Sequence, residues 1–211
     1  HEARHGPGLL LAIEALQRKF LRHQNGAGGA TRFNYSGKHL SYFGHLDHFS
    51  RTFRNTDVGF LSSRVNKTST RGGLSLEQPD PWKAFRNVSW FVNGGQEFTG
   101  DEIVIDRSVV TGMDIGFRSF WYVGWNTGAN FRVLDDLDTR GGPPIVRPAN
   151  RFWNAFLGSD SRPRVRLNAN VSGSRDEAGG WNFRVAPTVP MQPSTPLTAS
   201  ISTNYNAART A

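Results

Sequence analysis

The chain has 211 residues, with 25 Lys+Arg against 17 Asp+Glu for a formal net charge of +8, together with Phe 15, Trp 6, Tyr 4 and no cysteine. So many large apolar rings exclude a chain that is disordered throughout, and the missing thiols exclude a disulfide framework, a thiolate metal site and a cysteine nucleophile. A mean hydropathy of -0.48, with no apolar run near about twenty residues, excludes a membrane-crossing helix but not a membrane barrel, whose strands average out as hydrophilic.

Residues 1–28 form a segment of their own. Leu9, Ile13, Leu16 and Phe20 fit helical spacing with Glu14, Arg18 and Lys19 opposite, and helix and strand are both open there. From residue 29 to 211 the pattern is one of strands. Thr31 to Ser50 is rich in Phe and Tyr and predicts a hairpin turning at Ser36, Gly37 and Lys38, and Gly72 with Gly73 reads as a turn. In Arg86 to Phe98, Val88, Trp90 and Val92 oppose Asn87, Ser89 and Asn93, with Phe91 out of pattern and a break or bulge expected at Asn93, Gly94 and Gly95. In Glu102 to Arg118 a slip near Val109 and Val110 predicts a bulge.

The clearest stretch follows. Trp121, Val123, Trp125, Thr127, Ala129, Phe131 and Val133 alternate with Tyr122, Gly124, Asn126, Gly128, Asn130 and Arg132. Three later runs repeat the rhythm: Val165, Leu167, Ala169 and Val171 against Arg164, Arg166, Asn168 and Asn170; Trp181, Phe183 and Val185 against Asn182, Arg184 and Ala186; Leu197, Ala199, Ile201, Thr203 and Tyr205 against Thr198, Ser200, Ser202 and Asn204. Turn signals at Gly158 to Asp160 and Asp176 to Gly180 separate the runs. Strands this long exceed the usual five or six residues of a globular sheet and suit a tilted bilayer crossing. The expected fold is all-β, an antiparallel up-and-down meander that is a transmembrane β-barrel or part of a larger one.

That fold assigns two faces. Trp121, Val123, Trp125, Val165, Leu167, Val171, Phe183 and Ile201 would meet lipid, and Asn126, Asn130, Arg132, Arg164, Arg166, Asn168, Asn170, Arg184 and Asn204 would line the lumen and favour polar or anionic solutes. Basic residues are otherwise scattered singly, so no nucleic-acid partner is expected.

Chemistry is harder to place. His45 and His48 are three apart on an expected strand and face opposite sides, and Asp135, Asp136 and Asp138 lack a calcium loop's spacing, so no metal is expected. Asp101 with Glu102 and Asp176 with Glu177 are adjacent pairs that would face apart, and no nucleophile elbow, Walker loop or dinucleotide fingerprint is present. No enzyme and no cofactor are expected. The alternative reading is a secreted, soluble β-sandwich that binds polysaccharide on a platform of Trp82, Trp90, Trp121, Trp125, Trp153 and Trp181.

Three stretches, Phe33 to Tyr42 (FNYSGKHLSY), Phe53 to Leu61 (FRNTDVGFL) and Leu134 to Pro148 (LDDLDTRGGPPIVRP), resemble together the C-terminal region of a bacterial outer-membrane β-barrel family of unknown function. Members commonly carry an N-terminal domain like the family-nine carbohydrate-binding modules. The Asp-x-Gly-Phe turn is matched by Asp57, Gly59 and Phe60, and the Thr-Arg-Gly-Gly-Pro turn by Thr139, Arg140, Gly141, Gly142 and Pro143, all with a structural role in turns. The resemblance runs from about residue 29 to 211. It implies an outer-membrane location, lipid as partner, and a pore or scaffold linked to carbohydrate handling.

Overall fold

The computed structural model describes residues 26–53, 66–135, 143–194 and 197–210. In chain order its strands are β1 (Gly28–Ser36), β2 (Leu40–Phe49), β3 (Lys67–Gln78), β4 (Phe85–Thr99), β5 (Val104–Phe117), β6 (Tyr122–Asn130), β7 (Val133–Asp135), β8 (Ile145–Arg147), β9 (Asn150–Gly158), β10 (Asn168–Asp176), β11 (Trp181–Ser194), β12 (Leu197–Ser202) and β13 (Tyr205–Arg209). The chain is all-β, and its body is one antiparallel meander in the order β1-β2-β3-β4-β5-β6-β9-β10-β11, with β12 and β13 sharing the last place beside β11. The short β7 and β8 pair only with each other, in the connection from β6 to β9. Among the described residues β1 pairs only with β2, and β12 and β13 only with β11, so the sheet is open. The segment 9–21, open to helix or strand on its sequence, lies outside the described residues.

The strands alternate around two rims. The turns 37–39, 79–84 and 118–121 and the connection 159–167 lie at a short-turn rim; β2, β4, β6 and β10 end at the opposite, long-loop rim, where 100–103 and 177–180 lie. β4 runs for 15 residues and β5 and β11 for 14 each, so the sheet is tall as well as wide. No large hydrophobic side chain among the described residues is buried. The apolar residues are arranged by face, not gathered in a core.

Four features depart from the sequence reading. β4 passes straight through Asn93, Gly94 and Gly95, and β3 through Gly72 and Gly73, because these glycines face one another in register: Gly72 opposite Gly94, and Gly73 opposite Asn93. A shared ladder outweighs the local turn preference of glycine. Val109 and Val110 pair regularly with Gly94 and Asn93. The register shifts instead at Arg86, between the Phe85 and Asn87 pairs, and beside Ile105, where Phe98 meets Val104 while Glu97 meets Asp106.

The remaining two concern Phe91 and β11. Phe91 keeps the alternation but lies on the polar side, opposite Gly112, where a Cβ on that glycine would come within 2.8 Å of the Phe91 ring. The same device recurs on that face, with Phe156 against Gly124, Phe152 against Gly128 and Tyr122 against Gly158. The alternation of residues 181–186 marks only the first part of β11, which continues through Pro187 and Pro190 to Ser194. Proline has no N–H to donate. Pro187 accepts from the Thr203 amide but gives nothing back, and β12 ends at Ser202 with β13 beginning at Tyr205. Pro190 accepts from the Arg166 amide in the same one-way fashion, and beyond it the isolated Val165–Met191 bridge and the Gln192 amide donating to the Arg164 carbonyl at 2.7 Å carry the register onward.

Two glycine substitutions separate close approach from open space. A Cβ on Gly112 meets the Trp125 carbonyl oxygen at 2.7 Å as well as the Phe91 ring, whereas one on Gly72 meets only the Phe43 carbonyl at 3.4 Å. Gly112→Ala is expected to cost about 1–3 kcal/mol, and Gly72→Ala to be neutral or stabilising by up to about 1 kcal/mol. Equilibrium urea unfolding followed by circular dichroism checks both.

Candidate functional site

Directly paired residues of antiparallel strands project to the same side. The register therefore sorts every strand residue onto one of two faces. One cross-strand row reads Leu40, Leu76, Trp90, Met113, Trp125, Ala155, Val171, Val185 and Tyr205, apolar from β2 to β13 without interruption. The adjoining rows contain Tyr42, Leu74, Val92, Trp153 and Phe183 on one side and Val88, Ile115, Val123, Leu157 and Ala169 on the other. Many of these side chains stand in the open, Trp125 at 41% and Tyr205 at 62% exposed.

All eight residues expected to face lipid share this apolar face. Val123, Trp125, Val171, Phe183 and Ile201 lie within its strands; Val165 and Leu167 extend β10 in register through the Val165–Met191 bridge and the Ser159–Leu167 backbone bond. Trp121 precedes β6 and accepts from the Phe117 amide at the short-turn rim. Trp90, Trp125, Trp153 and Trp181 all point this way, while Trp82 sits in the 79–84 turn.

The opposite face is polar. Asn126 faces Asn154, Asn130 faces Asn150, and Ser172 lies between Asn154 and Arg184. Asn170 donates to the Asn154 side-chain oxygen at 2.8 Å and Asn182 to the Ser174 hydroxyl at 2.9 Å. Arg164, Arg166 and Asn168 follow the same parity, and Arg184 donates from Nε to Asn204 at 3.1 Å, bringing Asn204 to this side. Arg132 departs from the expected set. It lies beyond the end of β6 and pairs with Glu177 at 2.7 Å, tying the 131–149 connection to the 177–180 turn.

Across β2 to β5 the polar face changes from amides to charges. Glu97 receives Lys67 at 3.3 Å, Ser69 at 3.1 Å and Arg71 at 3.1 Å, three donors projecting from one side of β3. Asp106 lies directly opposite Glu97, and His45 with Asp47 at 2.8 Å continues the network on β2. Beside it a cavity of about 360 Å³ is lined by Phe43, Arg71, Asn93, Glu97, Asp106 and Val110. The sequence reading missed this cluster. Lys67, Ser69 and Arg71 do share a parity in KTSTR, but only the β3–β4 register brings them to Glu97.

The loops hold their own charges. Arg162 bonds Asp160 through Nε at 2.9 Å and stacks 3.7 Å from the Phe120 ring, and these bonds hold the Asp160 carboxyl below the ordinary range. His45 and His48 project to opposite faces, and among the described residues no three His, Asp or Glu side chains gather as a metal site. Asp135 is paired with Arg147 in the β7–β8 hairpin. Asp57, Gly59, Phe60, Thr139, Arg140, Gly141 and Gly142 lie outside the described residues, and Pro143 lies just before β8. No family model, no curated protein and no solved structure matches this chain.

Two measurements probe the polar groups. Arg71 is 59% exposed and Lys67 only 13%, so double-mutant cycles with Glu97→Ala are expected to give a coupling under about 1 kcal/mol for Arg71→Ala and a larger one for Lys67→Ala. Equal couplings would mean that burial does not set the strength of the cluster. The Arg132 bond lowers the Glu177 carboxyl pKa, outweighing desolvation. Carboxyl-selective NMR is expected to find Glu177 titrating below an ordinary glutamate, and Arg132→Gln to return it upward.

Proposed function

We propose that this chain is a segment of a bacterial outer-membrane β-barrel, with its apolar face against lipid and its polar face towards an aqueous interior, acting as a pore or scaffold and carrying no chemistry of its own. The observation that carries the reading is the uncovered apolar face. It extends over a meander of long strands, and among the described residues the only other sheet is the small two-stranded β7–β8 pair and there is no helix. A domain in water needs a second layer to cover such a face, whereas lipid covers it in a membrane barrel.

The height agrees. On β11 the apolar parity runs from Trp181 to Met191, about 33 Å at about 3.3 Å per residue. At the usual tilt near 40° that is a band of about 25 Å, the height of a barrel's apolar belt. The outer-membrane location and the link to carbohydrate rest on the resemblance in residues 33–42, 53–61 and 134–148. An interior lined by Arg164, Arg166 and Arg184 among asparagines favours anionic or polar solutes, a glycan among them. The polysaccharide-binding sandwich is less well supported, because a sandwich needs two sheets packed face to face.

Refolding the chain with and without detergent micelles tests this. A strand-rich species with heat-modifiable gel mobility is expected only in detergent, and a monomer folding cooperatively in plain buffer would sink the reading. In planar bilayers Arg166→Glu is expected to shift conductance towards cations; unchanged selectivity would remove Arg166 from the interior.

A further inference from the structure

Charged strand residues keep to the polar face almost everywhere. The exceptions in the large sheet are four arginines, Arg107, Arg151, Arg175 and Arg209, all near the long-loop rim of the apolar face. Ala129, Arg151, Arg175, Trp181 and Arg209 are successive direct neighbours from β6 through β9, β10 and β11 to β13. Arg107 lies one rung further out, beside Phe131. Arg151 therefore stands directly opposite Arg175, a like-charge pairing that destabilises a sheet unless something neutralises it.

Nothing in the described protein does so. In the adjoining turn Glu177 is engaged by Arg132, and Asp176 points to the other face and accepts the Gly180 amide at 2.7 Å. Among the described residues no carboxylate pairs with Arg151, Arg175 or Arg209, and Arg107 has only Gln96, at 3.3 Å. The rim across the sheet is mixed, Lys83, Arg86 and Arg118 having no carboxylate partner among the described residues while others do. There Arg162 has Asp160 and Lys38 has Asp80. Exposed Trp153 and Trp181 stand among these arginines, as amphipathic rings do at a membrane–water boundary.

We propose that this arginine row binds the phosphate of anionic lipid headgroups, so that the long-loop rim lies in an anionic headgroup layer. Planar guanidinium groups match phosphate oxygens in paired hydrogen bonds, and a phosphate between Arg151 and Arg175 converts their repulsion into shared attraction. This inference rests on the membrane reading and adds to it a ligand and an orientation.

The test uses the 211-residue chain, a triple variant Arg151→Gln/Arg175→Gln/Arg209→Gln, and Arg162→Gln at the opposite rim. Each is folded into phosphatidylcholine vesicles and into vesicles that also contain phosphatidylglycerol, and tryptophan quenching by bromine-labelled forms of the two lipids is compared. The unaltered chain and Arg162→Gln are expected to enrich phosphatidylglycerol, with roughly fivefold lost per arginine removed. The single variant Arg151→Gln serves if the triple variant does not fold. Equal quenching by both lipids in a folded chain, or an equal loss in Arg162→Gln, overturns the proposal while leaving the membrane reading intact. Enrichment abolished by millimolar inorganic phosphate overturns the lipid as ligand in favour of free phosphate. A chain that folds in no vesicle overturns the membrane reading itself, and this proposal with it.

Discussion

The rest of the structure depends on an apolar surface that the described protein does not cover. In most domains the hydrophobic effect is satisfied by packing one layer on another, and the side chains so enclosed form a core. Here Trp125, Trp153, Val171 and Ile201 stand on one side of a single sheet, and among the described residues no large hydrophobic side chain is buried. Stability in such an arrangement comes from ladder hydrogen bonds and cross-strand neighbours. The remaining free energy has to come from whatever medium adjoins the apolar side.

The separation of faces across the middle of the sheet follows from that constraint. A charged residue among the row from Leu40 to Tyr205 would interrupt the apolar side at its centre, and the register places none there. The polar side is under no such rule and is mixed. It carries asparagines and arginines along β6 to β13, a compact charged group around Glu97 on β3 and β4, and aromatic rings that lie over glycines rather than over one another.

Period-two alternation is a local property, so the two faces of β6, β10 and β11 were legible from residues 121–131, 164–171 and 181–186. Register is not local. The turn expected at Gly72 and Gly73 is absent because β4 offers Gly94 and Asn93 opposite, and the misplaced bulge at Val109 and Val110 arose because Val110 is an apolar residue on the polar face. Phe91 broke the pattern only until Gly112 came to lie under its ring. The Glu97 cluster was unreadable for the same reason, its members being about thirty positions apart along the chain. Arg132 carried the right parity but lies past the end of its strand, where Glu177 from a neighbouring turn claims it.

The prolines of β11 make one border of the sheet unlike the rest. Pro187, Pro190 and Pro193 take three donors from a strand with neighbours on both sides, and the ladder thins just where β12 gives way to β13. Peeling the final strand from β11 therefore breaks fewer hydrogen bonds than parting β4 from β5, whose pairing extends almost from rim to rim. Local opening begins where the ladder is thinnest. In a medium without water an unmatched carbonyl is costly, so this border is the seam along which the sheet would unzip, and the place where an incoming strand would find the least resistance.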